Sequence, residues 1–394
     1  MRIIRILFPV LILLVLSIIS YQQYHQLPSA LLATISFLPF VLVVLVVGLA
    51  IHFNNSSVFF YTLLLVLNYI VLTGEWKQAD LSTVMLASSL PLFILIFALL
   101  PGRGLFSLKV LPVYVFLLSA AGLSSWIYQQ PPQWLIFYLM SDWLPARYFD
   151  WVNLPQTVLA HSIVISLFML VLFISKPSTH FAVAFGILIL LFMQYFLQDS
   201  RSVILFGSAS LLMCLYAVVQ ESWRMAYLDE LTELPGRRAL REKFQSISGL
   251  YTVAMLDVDH FKKFNDKYGH DTGDAVLRMI AAKMSKVSGG GLAYRYGGEE
   301  FTVVFNGENN QSAKTHLEVL RMSIADNPFV INRQDRRQHD SKTNGAKNIA
   351  VKVTVSIGVA DSKESVKSPW DVLKLADKAL YKAKKKGRNQ TCVS

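Results

Sequence analysis

Long apolar runs fill the first part of the chain. Eight of them approach the length that a membrane-spanning helix needs, about 20 mostly apolar residues. They lie at 3–20, 31–52, 57–74, 82–100, 110–127, 157–175, 179–198 and 202–219. A buried helical bundle of a soluble protein would also be apolar, but the length and low charge of these runs favour membrane helices. Residues 1–220 are therefore predicted to form an all-α polytopic membrane bundle of about eight helices, with a sensory or anchoring role.

From residue 221 to 394, short apolar runs alternate with amphipathic ones. The predicted strands lie at 251–258, 292–296, 301–305 and 351–359, and the predicted helices at 261–267, 272–287, 312–326 and 369–386. This alternation predicts an α/β domain with a central mixed sheet. The chain is thus expected to hold two domains that meet near residue 220, without a Gly/Ser-rich linker between them.

The charged residues follow the same division. The chain has 37 Lys and Arg, 26 Asp and Glu and a net charge of +11, but residues 1–200 carry only seven of the basic and five of the acidic residues. A net positive charge could indicate a nucleic-acid partner. This uneven placement favours instead basic residues near a membrane surface and a phosphate-handling domain, so no nucleic-acid partner is expected.

Cysteine and histidine residues do not form a recognisable pattern. Cys214 lies in an apolar run and Cys392 in the C-terminal tail, so they form neither a disulfide framework nor a metal-ligand spacing. His52, His161 and His180 lie in or near the apolar runs without the pairing of a metal or haem site. A reducing compartment for the C-terminal half is consistent with this cysteine usage.

Basic residues between the apolar runs predict an orientation. Under the positive-inside rule, the residues that mark the inner side are Arg2, Arg5, Arg103, Lys109 and Lys176. Eight crossings then place both termini in the cytoplasm, on the inner side of the cytoplasmic membrane. The outer segment 128–156 is rich in Trp, Tyr and Phe, which is typical of an interfacial aromatic belt and also compatible with a ligand-sensing surface.

Acidic residues occur at two turns of the predicted α/β domain. Asp257 and Asp259 close the first strand, at the edge where open α/β sheets bind ligands. Glu299 and Glu300 follow a predicted tight hairpin at Gly297 and Gly298, because glycine accepts positive φ. The two clusters could converge on a hard cation such as Mg²⁺, or they could be two separate solvated turns.

Basic residues end the last predicted helix. Lys384 and Arg388 are four apart, so they could share a helix face and bind a triphosphate. A run of lysines at a helix C-terminus is also favoured by the helix dipole alone. Spacing alone leaves both interpretations open.

Five segments resemble, in order, the motifs of the GGDEF family of diguanylate cyclases, over about 226–390. They are DELTELPGRRAL at 229–240, DVDHFKKFNDKYGHDTGD at 257–274, RYGGEEF at 295–301, VTVSIGV at 353–359 and ADKALYKAKKKGRN at 376–389. The signature is in its GGEEF form. The resemblance implies that the 3′-hydroxyl of one GTP attacks the α-phosphate of another, that pyrophosphate leaves, and that a second such step gives cyclic di-GMP.

The resemblance also implies roles for individual residues. The carboxylates of Asp257 and Glu299 and the carbonyl of Val258 would bind Mg²⁺, with Mn²⁺ as the other candidate, and Glu299 would also accept the proton of the attacking hydroxyl. The residues that would contact GTP are Asn265 and Asp274 at the guanine, His270 at a further substrate position, and Lys262, Lys384 and Arg388 at the phosphates. Each domain would hold one GTP, so activity requires a homodimer.

Several positions depart from the family pattern. Glu233 stands where glycine is usual and Gly236 where asparagine is usual. The RxxD product-inhibition motif is replaced by the run from Ser288 to Gly291, so weak feedback inhibition is expected. The basic segment 331–348 is longer than the usual connection.

Two other functions are compatible with the sequence. One is a degenerate domain that binds GTP or cyclic di-GMP and signals by contact, although such copies usually lose the signature acids that Glu299 and Glu300 supply here. The other is a transporter with a regulatory soluble half, which the scarcity of charge within the apolar runs disfavours.

Overall fold

The computed structural model describes residues 2–73, 81–99, 104–105, 107–145, 155–197, 199–331, 349–362 and 368–394. The chain divides into two compact units, Met1–Ser222 and Trp223–Ser394. Arg103 and the segment 332–348 lie outside the described residues, as do the side chains of Arg2, Arg5 and Lys109.

The first unit is helical. Its helices are α1 (Arg2–Gln23), α2 (Ser29–His52), α3 (Ser56–Thr73), α4 (Leu81–Leu99), α5 (Leu111–Gln129), α6 (Gln133–Met140), α7 (Gln156–Ser175), α8 (Thr179–Leu197) and α9 (Ser200–Tyr227). Each of the eight predicted apolar runs coincides with one of them, and the short α6 lies within the predicted outer segment.

Six of these helices are long and apolar enough to cross a membrane, as judged by length and composition over the described residues. They are α1, α2, α3, α7, α8 and α9, whereas α4 and α5 contain shorter apolar stretches, Thr83–Leu99 and Leu111–Ala120. Apolar side chains also lie on the outside of the helical unit: Val44 on α2 is 74% exposed and Leu118 on α5 is 75% exposed. The number of crossings stays a prediction.

The second unit is built on a five-stranded mixed sheet of order β2-β3-β1-β6-β7, which confirms the predicted α/β fold. The strands are β1 (Tyr251–Val258), β2 (Leu292–Gly297), β3 (Glu300–Asn306), β6 (Val355–Asp361) and β7 (Thr391–Val393), and a separate hairpin joins β4 (Phe329–Ile331) and β5 (Ile349–Val351). β1 is antiparallel to both β3 and β6, and only β7 runs parallel to its neighbour.

Helices cover both faces of this sheet. They are α10 (Arg237–Ser246), α11 (Phe261–Tyr268), α12 (His270–Met284), α13 (Asn310–Ala325) and α14 (Pro369–Lys385). All of β1 is buried, and its side chains alternate between two apolar clusters, as the two-residue period of a strand requires. α12 and α13 contribute to one cluster, α10 and α14 to the other.

Gly358 allows α14 to pack closely on the sheet. A Cβ at this position would overlap the backbone N of Leu380 and the backbone O of Ala376. Only glycine therefore fits at this point of β6, which is the glycine of the VTVSIGV segment. This close packing helps to fix α14, and with it Lys384, against β1.

The single strand predicted at 351–359 is wrong in detail. Residues 352–354 belong to no strand and separate β5, which pairs with β4, from β6, which pairs with β1. Thr354 uses its backbone O to accept a hydrogen bond from Asp259 N, at 2.9 Å, and its hydroxyl donates to the Asp259 carboxylate. These contacts divide the run into two strands. The elements α10, β4 and β7 had no counterpart among the predictions.

Candidate active site

The end of β1 lies between two antiparallel neighbours. Asp257 pairs with Glu300 of β3 on one side and with Ser356 of β6 on the other, and it is only 6% exposed. Val258 N donates to Glu299 O at 3.3 Å. The two acidic clusters therefore meet, but through antiparallel pairing with a hairpin and not through the edge of a parallel sheet.

The signature turn consists of Gly298 and Glu299, which connect β2 to β3. Neither Gly297 nor Gly298 has φ in the left-handed region, so the predicted reason for these glycines is wrong. A Cβ on Gly298 would meet no atom within 4 Å. The missing side chain therefore leaves the surface above the turn uncovered and relieves no backbone strain.

Three carboxyl groups at this turn share a partly buried environment. Burial raises the pKa of Asp257, even though Lys384 Nζ lies 2.8 Å from its Oδ2 and acts in the opposite direction. Burial and the nearby Asp257 carboxylate also raise the pKa values of Glu299 and Glu300. Mutual repulsion of this kind favours a bound cation.

The donor atoms at this turn suit a divalent cation. Two carboxylates and the carbonyl of Val258 are hard oxygen ligands of the kind that Mg²⁺ prefers. Within the described ranges, no group of three or more His, Cys, Asp or Glu side chains is arranged to hold a metal. The predicted metal site uses only two acidic side chains and one backbone carbonyl, so the lack of a group of three side chains in these ranges does not test it.

A cavity of about 460 Å³ adjoins these groups. Its lining includes Glu300 at the start of β3 and Lys384 on α14. The remaining lining residues belong to α14: Asp377, Lys378, Leu380, Tyr381 and Lys382. The acidic turn and the basic end of α14 therefore border one open space.

Asn265 lies on α11 and is not among the residues that line this cavity. Its Oδ1 is buried and has no hydrogen-bond partner among the described residues. The side chain lies against Gly273, where a Cβ would overlap that oxygen. Because Asp274 follows Gly273 directly, the two predicted guanine-binding residues come from adjoining parts of α11 and α12. An orphan buried acceptor indicates a missing partner.

The other predicted substrate residues are exposed. Lys262 lies on α11, and His270 begins α12. Arg388 lies beyond the end of α14 with φ of 63°, so it does not share a helix face with Lys384, which was one of the two arrangements that their spacing allowed. The charge of Arg388 still acts to lower the pKa of Asp257, against the larger opposite effect of burial. Loop geometry, and not a shared helix face, brings this arginine toward the acidic turn.

Asp259 has a positioning role that the acidic motif did not reveal. Its carboxylate accepts hydrogen bonds from Thr354 Oγ1 at 2.7 Å, Ser356 Oγ at 2.6 Å and Asn389 N at 3.0 Å. It therefore ties the end of β1 to β6 and to the turn that carries Arg388. The paired small hydroxyl residues of the VTVSIGV segment are the sequence signal for this contact.

Asp229 and Arg295 form a second structural link, which we call the clamp. Arg295 NH1 lies 2.7 Å from Asp229 Oδ1, and its NH2 donates to Gly298 O at 2.7 Å. Thr232 donates two further hydrogen bonds to Asp229 Oδ1. Burial acts to raise the pKa of Asp229, but the hydrogen bonds from Thr232 and Arg295 lower it. The clamp holds the signature turn against the 229–235 turn.

In the run from Ser288 to Gly291, Gly289 and Gly291 are closely packed, whereas Ser288 and Gly290 are exposed. Ser288 Oγ lies 2.8 Å from His316 Nδ1. Gly289 and Gly290 have φ of 70° and 69°, and a Cβ on Gly291 would lie 2.7 Å from the Phe305 ring. This run carries no charged side chain, and Gly289 and Gly291 have no room for one.

Comparison with known proteins assigns the second unit to a family. Residues 226–390 match the family described as "Diguanylate cyclase, GGDEF domain". The chain is 34% identical over 179 residues to the response regulator PleD of Caulobacter vibrioides, covering 43% of this chain and 37% of PleD. It is also 32% identical over 192 residues to the probable diguanylate cyclase DgcT of Escherichia coli. That match covers 46% of this chain and 39% of DgcT. The chain therefore spans less than half the length of these relatives.

A solved structure is also similar. The coiled coil and GGDEF domain of DgcB from Caulobacter crescentus, in complex with c-di-GMP, is 30% identical and covers 46% of this chain and 93% of that chain, with a TM-score of 0.40. Residues 226–390 are a GGDEF domain of the diguanylate cyclase type.

Proposed function

We propose that this protein, through the GGDEF domain at 226–390, condenses two GTP molecules into cyclic di-GMP and two pyrophosphates. The observation that supports this most directly is the meeting of Asp257, Glu299 and Lys384 at the end of β1. Carboxylates for a cation and a lysine for phosphates at one place suit phosphoryl transfer, which depends on positioning and charge neutralisation.

Glu299 is proposed as the general base. Its carboxylate lies in the turn, partly buried, and burial and Asp257 raise its pKa. A higher pKa strengthens a carboxylate as a proton acceptor near neutral pH. Glu299 would take the proton of the 3′-hydroxyl as that oxygen attacks the α-phosphate.

Asp257, Glu299 and the Val258 carbonyl are proposed to hold the divalent cation, Mg²⁺ or Mn²⁺. When bound, it would neutralise charge on the phosphates. Lys384 is paired with Asp257 at 2.8 Å, and its ammonium group would bind the phosphates beside this carboxylate. Lys262 and Arg388 would bind the same phosphates from α11 and from the turn after α14.

The guanine is proposed to lie at Asn265 and Asp274. Guanine supplies N–H donors, and the orphan Asn265 Oδ1 is an acceptor that needs one. A carboxylate at Asp274 can accept from N1–H and the 2-amino group together, which adenine does not offer in that arrangement. His270 would contact the substrate from the start of α12.

Two further proposals concern the whole chain. Each domain binds one GTP, so a homodimer brings two GTP molecules face to face. The apolar helices anchor the protein in the inner membrane as a multi-pass, signal-receiving region, with the GGDEF domain in the cytoplasm where GTP is found. A reporter fused after Ser394 that is active only in the cytoplasm should be active, and an active periplasmic reporter there would contradict this orientation.

The test is product formation. Purified full-length protein in detergent is incubated with Mg²⁺ and either GTP or ATP, and the products are identified by mass spectrometry. We expect cyclic di-GMP and pyrophosphate from GTP alone, and none after chelation of the metal. Binding of GTP without any product would favour the receptor alternative and overturn the proposal.

A further inference from the structure

A cavity of about 280 Å³ opens in the helical unit between α2, α3, α8 and α9. Most of its lining is apolar, and none of the lining residues is charged. Two of them, Phe40 and Val44, are 55% and 74% exposed, so the cavity communicates with the outside of the bundle. Its volume is close to the lower end of the range for small-molecule sites, about 300 Å³.

Two buried amide groups interrupt this apolar lining. Asn68 on α3 and Gln194 on α8 are each only 2% exposed. Asn68 Nδ2 donates to Gln194 Oε1 at 2.8 Å, and Tyr195 OH donates to Asn68 Oδ1 at 2.6 Å. Polar side chains buried among membrane helices are costly and usually functional.

The hydrogen bonds of this pair leave donors unused. Both amide oxygens accept a bond, whereas Asn68 Nδ2 uses one N–H on Gln194, and Gln194 Nε2 uses one on Val203 O at 3.4 Å. Among the described contacts, one N–H of each amide has no partner. Buried N–H groups without partners are rarer than carbonyls with a free lone pair. The cavity therefore favours a ligand with an acceptor oxygen.

Gly207 on α9 keeps the space beside the amides open. A Cβ there would lie 3.3 Å from Gln194 Nε2, and Gly207 itself lines the cavity. A longer side chain at this position would enter the space that a ligand needs. The absence of a side chain thus leaves space directly beside Gln194 Nε2 in the wall of the cavity.

We propose that this cavity binds a membrane-soluble molecule with a single apolar chain and a neutral carbonyl oxygen, which accepts hydrogen bonds from Asn68 and Gln194. The chain would lie along the apolar wall of α2 and α3. A phospholipid head group would find no ionic partner among the lining residues. The proposal depends on the membrane location proposed above, but not on cyclase activity.

Photo-crosslinking tests this site on the full-length protein in dodecyl maltoside, a detergent without a carbonyl group. The probe is a diazirine-bearing derivative of 2-hexadecanone, and the matched probe is the same chain without the ketone oxygen. We expect the ketone to label α2, α3 or α9 about threefold to tenfold more than the hydrocarbon, as one or two hydrogen bonds predict. Excess unlabelled 2-hexadecanone should prevent the labelling.

Two variants separate the cavity from the rest of the bundle. Gly207→Leu should abolish the ketone labelling, because it fills the cavity. Gly122→Leu is the matched control, since a Cβ at that glycine of α5 meets no atom within 4 Å, and its labelling should be unchanged. Equal labelling of the wild type by both probes, undiminished labelling of Gly207→Leu, or equal competition by an ester-linked phospholipid would each overturn the proposal. Because the readout is crosslinking, a protein without cyclase activity can still support it.

Discussion

Lys384 Nζ lies 2.8 Å from Asp257 Oδ2, so a predicted phosphate ligand and a predicted metal ligand are paired with each other. Asp257 is nearly buried, and burial raises its pKa despite the lysine. The ammonium group therefore offsets only part of the repulsion between this carboxylate and those of Glu299 and Glu300. On substrate binding, the Lys384 ammonium group should move from Asp257 to the phosphates, and Asp257 would then be available to hold the cation.

Replacing Lys384 by glutamine should raise the KM for GTP by at least about tenfold, because a charge-assisted hydrogen bond to phosphate contributes roughly 1.5–3 kcal/mol. Steady-state kinetics with GTP measures the change. Lys374→Gln is the control, since Lys374 lies on the same helix but pairs with Asp371 at the exposed opposite end. If both variants have the wild-type KM, Lys384 does not bind the phosphates.

The clamp should affect turnover as well as stability. Asp229→Ala removes the partner of Arg295, whose guanidinium also binds Gly298 O in the signature turn. We expect a loss of about 1–2 kcal/mol in the free energy of unfolding, together with a lower kcat. Urea unfolding and GTP turnover, both on the full-length protein in detergent, measure the two effects.

The control for the clamp is a second ion pair of similar exposure. Arg321 NH2 lies 2.8 Å from Glu318 Oε2, on α13 and away from the signature turn. Glu318→Ala should lower the stability without lowering kcat. A clamp variant that loses stability but keeps full turnover would show that Arg295 does not position the turn.

Glu233 has φ of 57°, which explains why a glycine is usual at this position. A left-handed conformation costs a non-glycine residue about 1–2 kcal/mol. Glu233→Gly should therefore be more stable than Glu233→Ala by about 1 kcal/mol, because both variants lose the same side-chain contacts and only alanine keeps the strain. Equal unfolding midpoints of the two variants would contradict this interpretation.

Feedback inhibition by the product should be weak. Ser288 and Gly291 stand where the family has an arginine and an aspartate, and Gly291 has no room for a side chain beside Phe305. Loss of two charge-assisted hydrogen bonds should weaken product binding there by more than about a hundredfold. Titration of cyclic di-GMP during turnover measures it. Potent inhibition through a site distinct from the GTP pocket would show that another surface replaces the motif.

The sequence predicted the local elements of the catalytic unit well, because they depend on short-range patterns. The strand 251–258 matches β1 because all eight residues are buried. Long-range partners were not predictable from such patterns. The pairing of Asp229 with Arg295 and of Lys384 with Asp257 depends on how the sheet orders its strands. The sequence placed the signature turn correctly but suggested the wrong reason for its glycines, since neither Gly297 nor Gly298 has positive φ and the register of the hairpin shifts between Arg295 and Gly297.

The most direct test of cyclic di-GMP synthesis at this site is the turnover of Glu299→Gln beside that of Glu308→Gln, a loop variant outside the acidic turn. Both proteins should unfold at the wild-type denaturant concentration. We expect Glu308→Gln to make cyclic di-GMP at the wild-type rate, and Glu299→Gln to fall below about one tenth of it, a difference of at least roughly 1.4 kcal/mol in the barrier. A folded Glu299→Gln protein that keeps more than this rate would contradict the assignment of Glu299 as both metal ligand and general base.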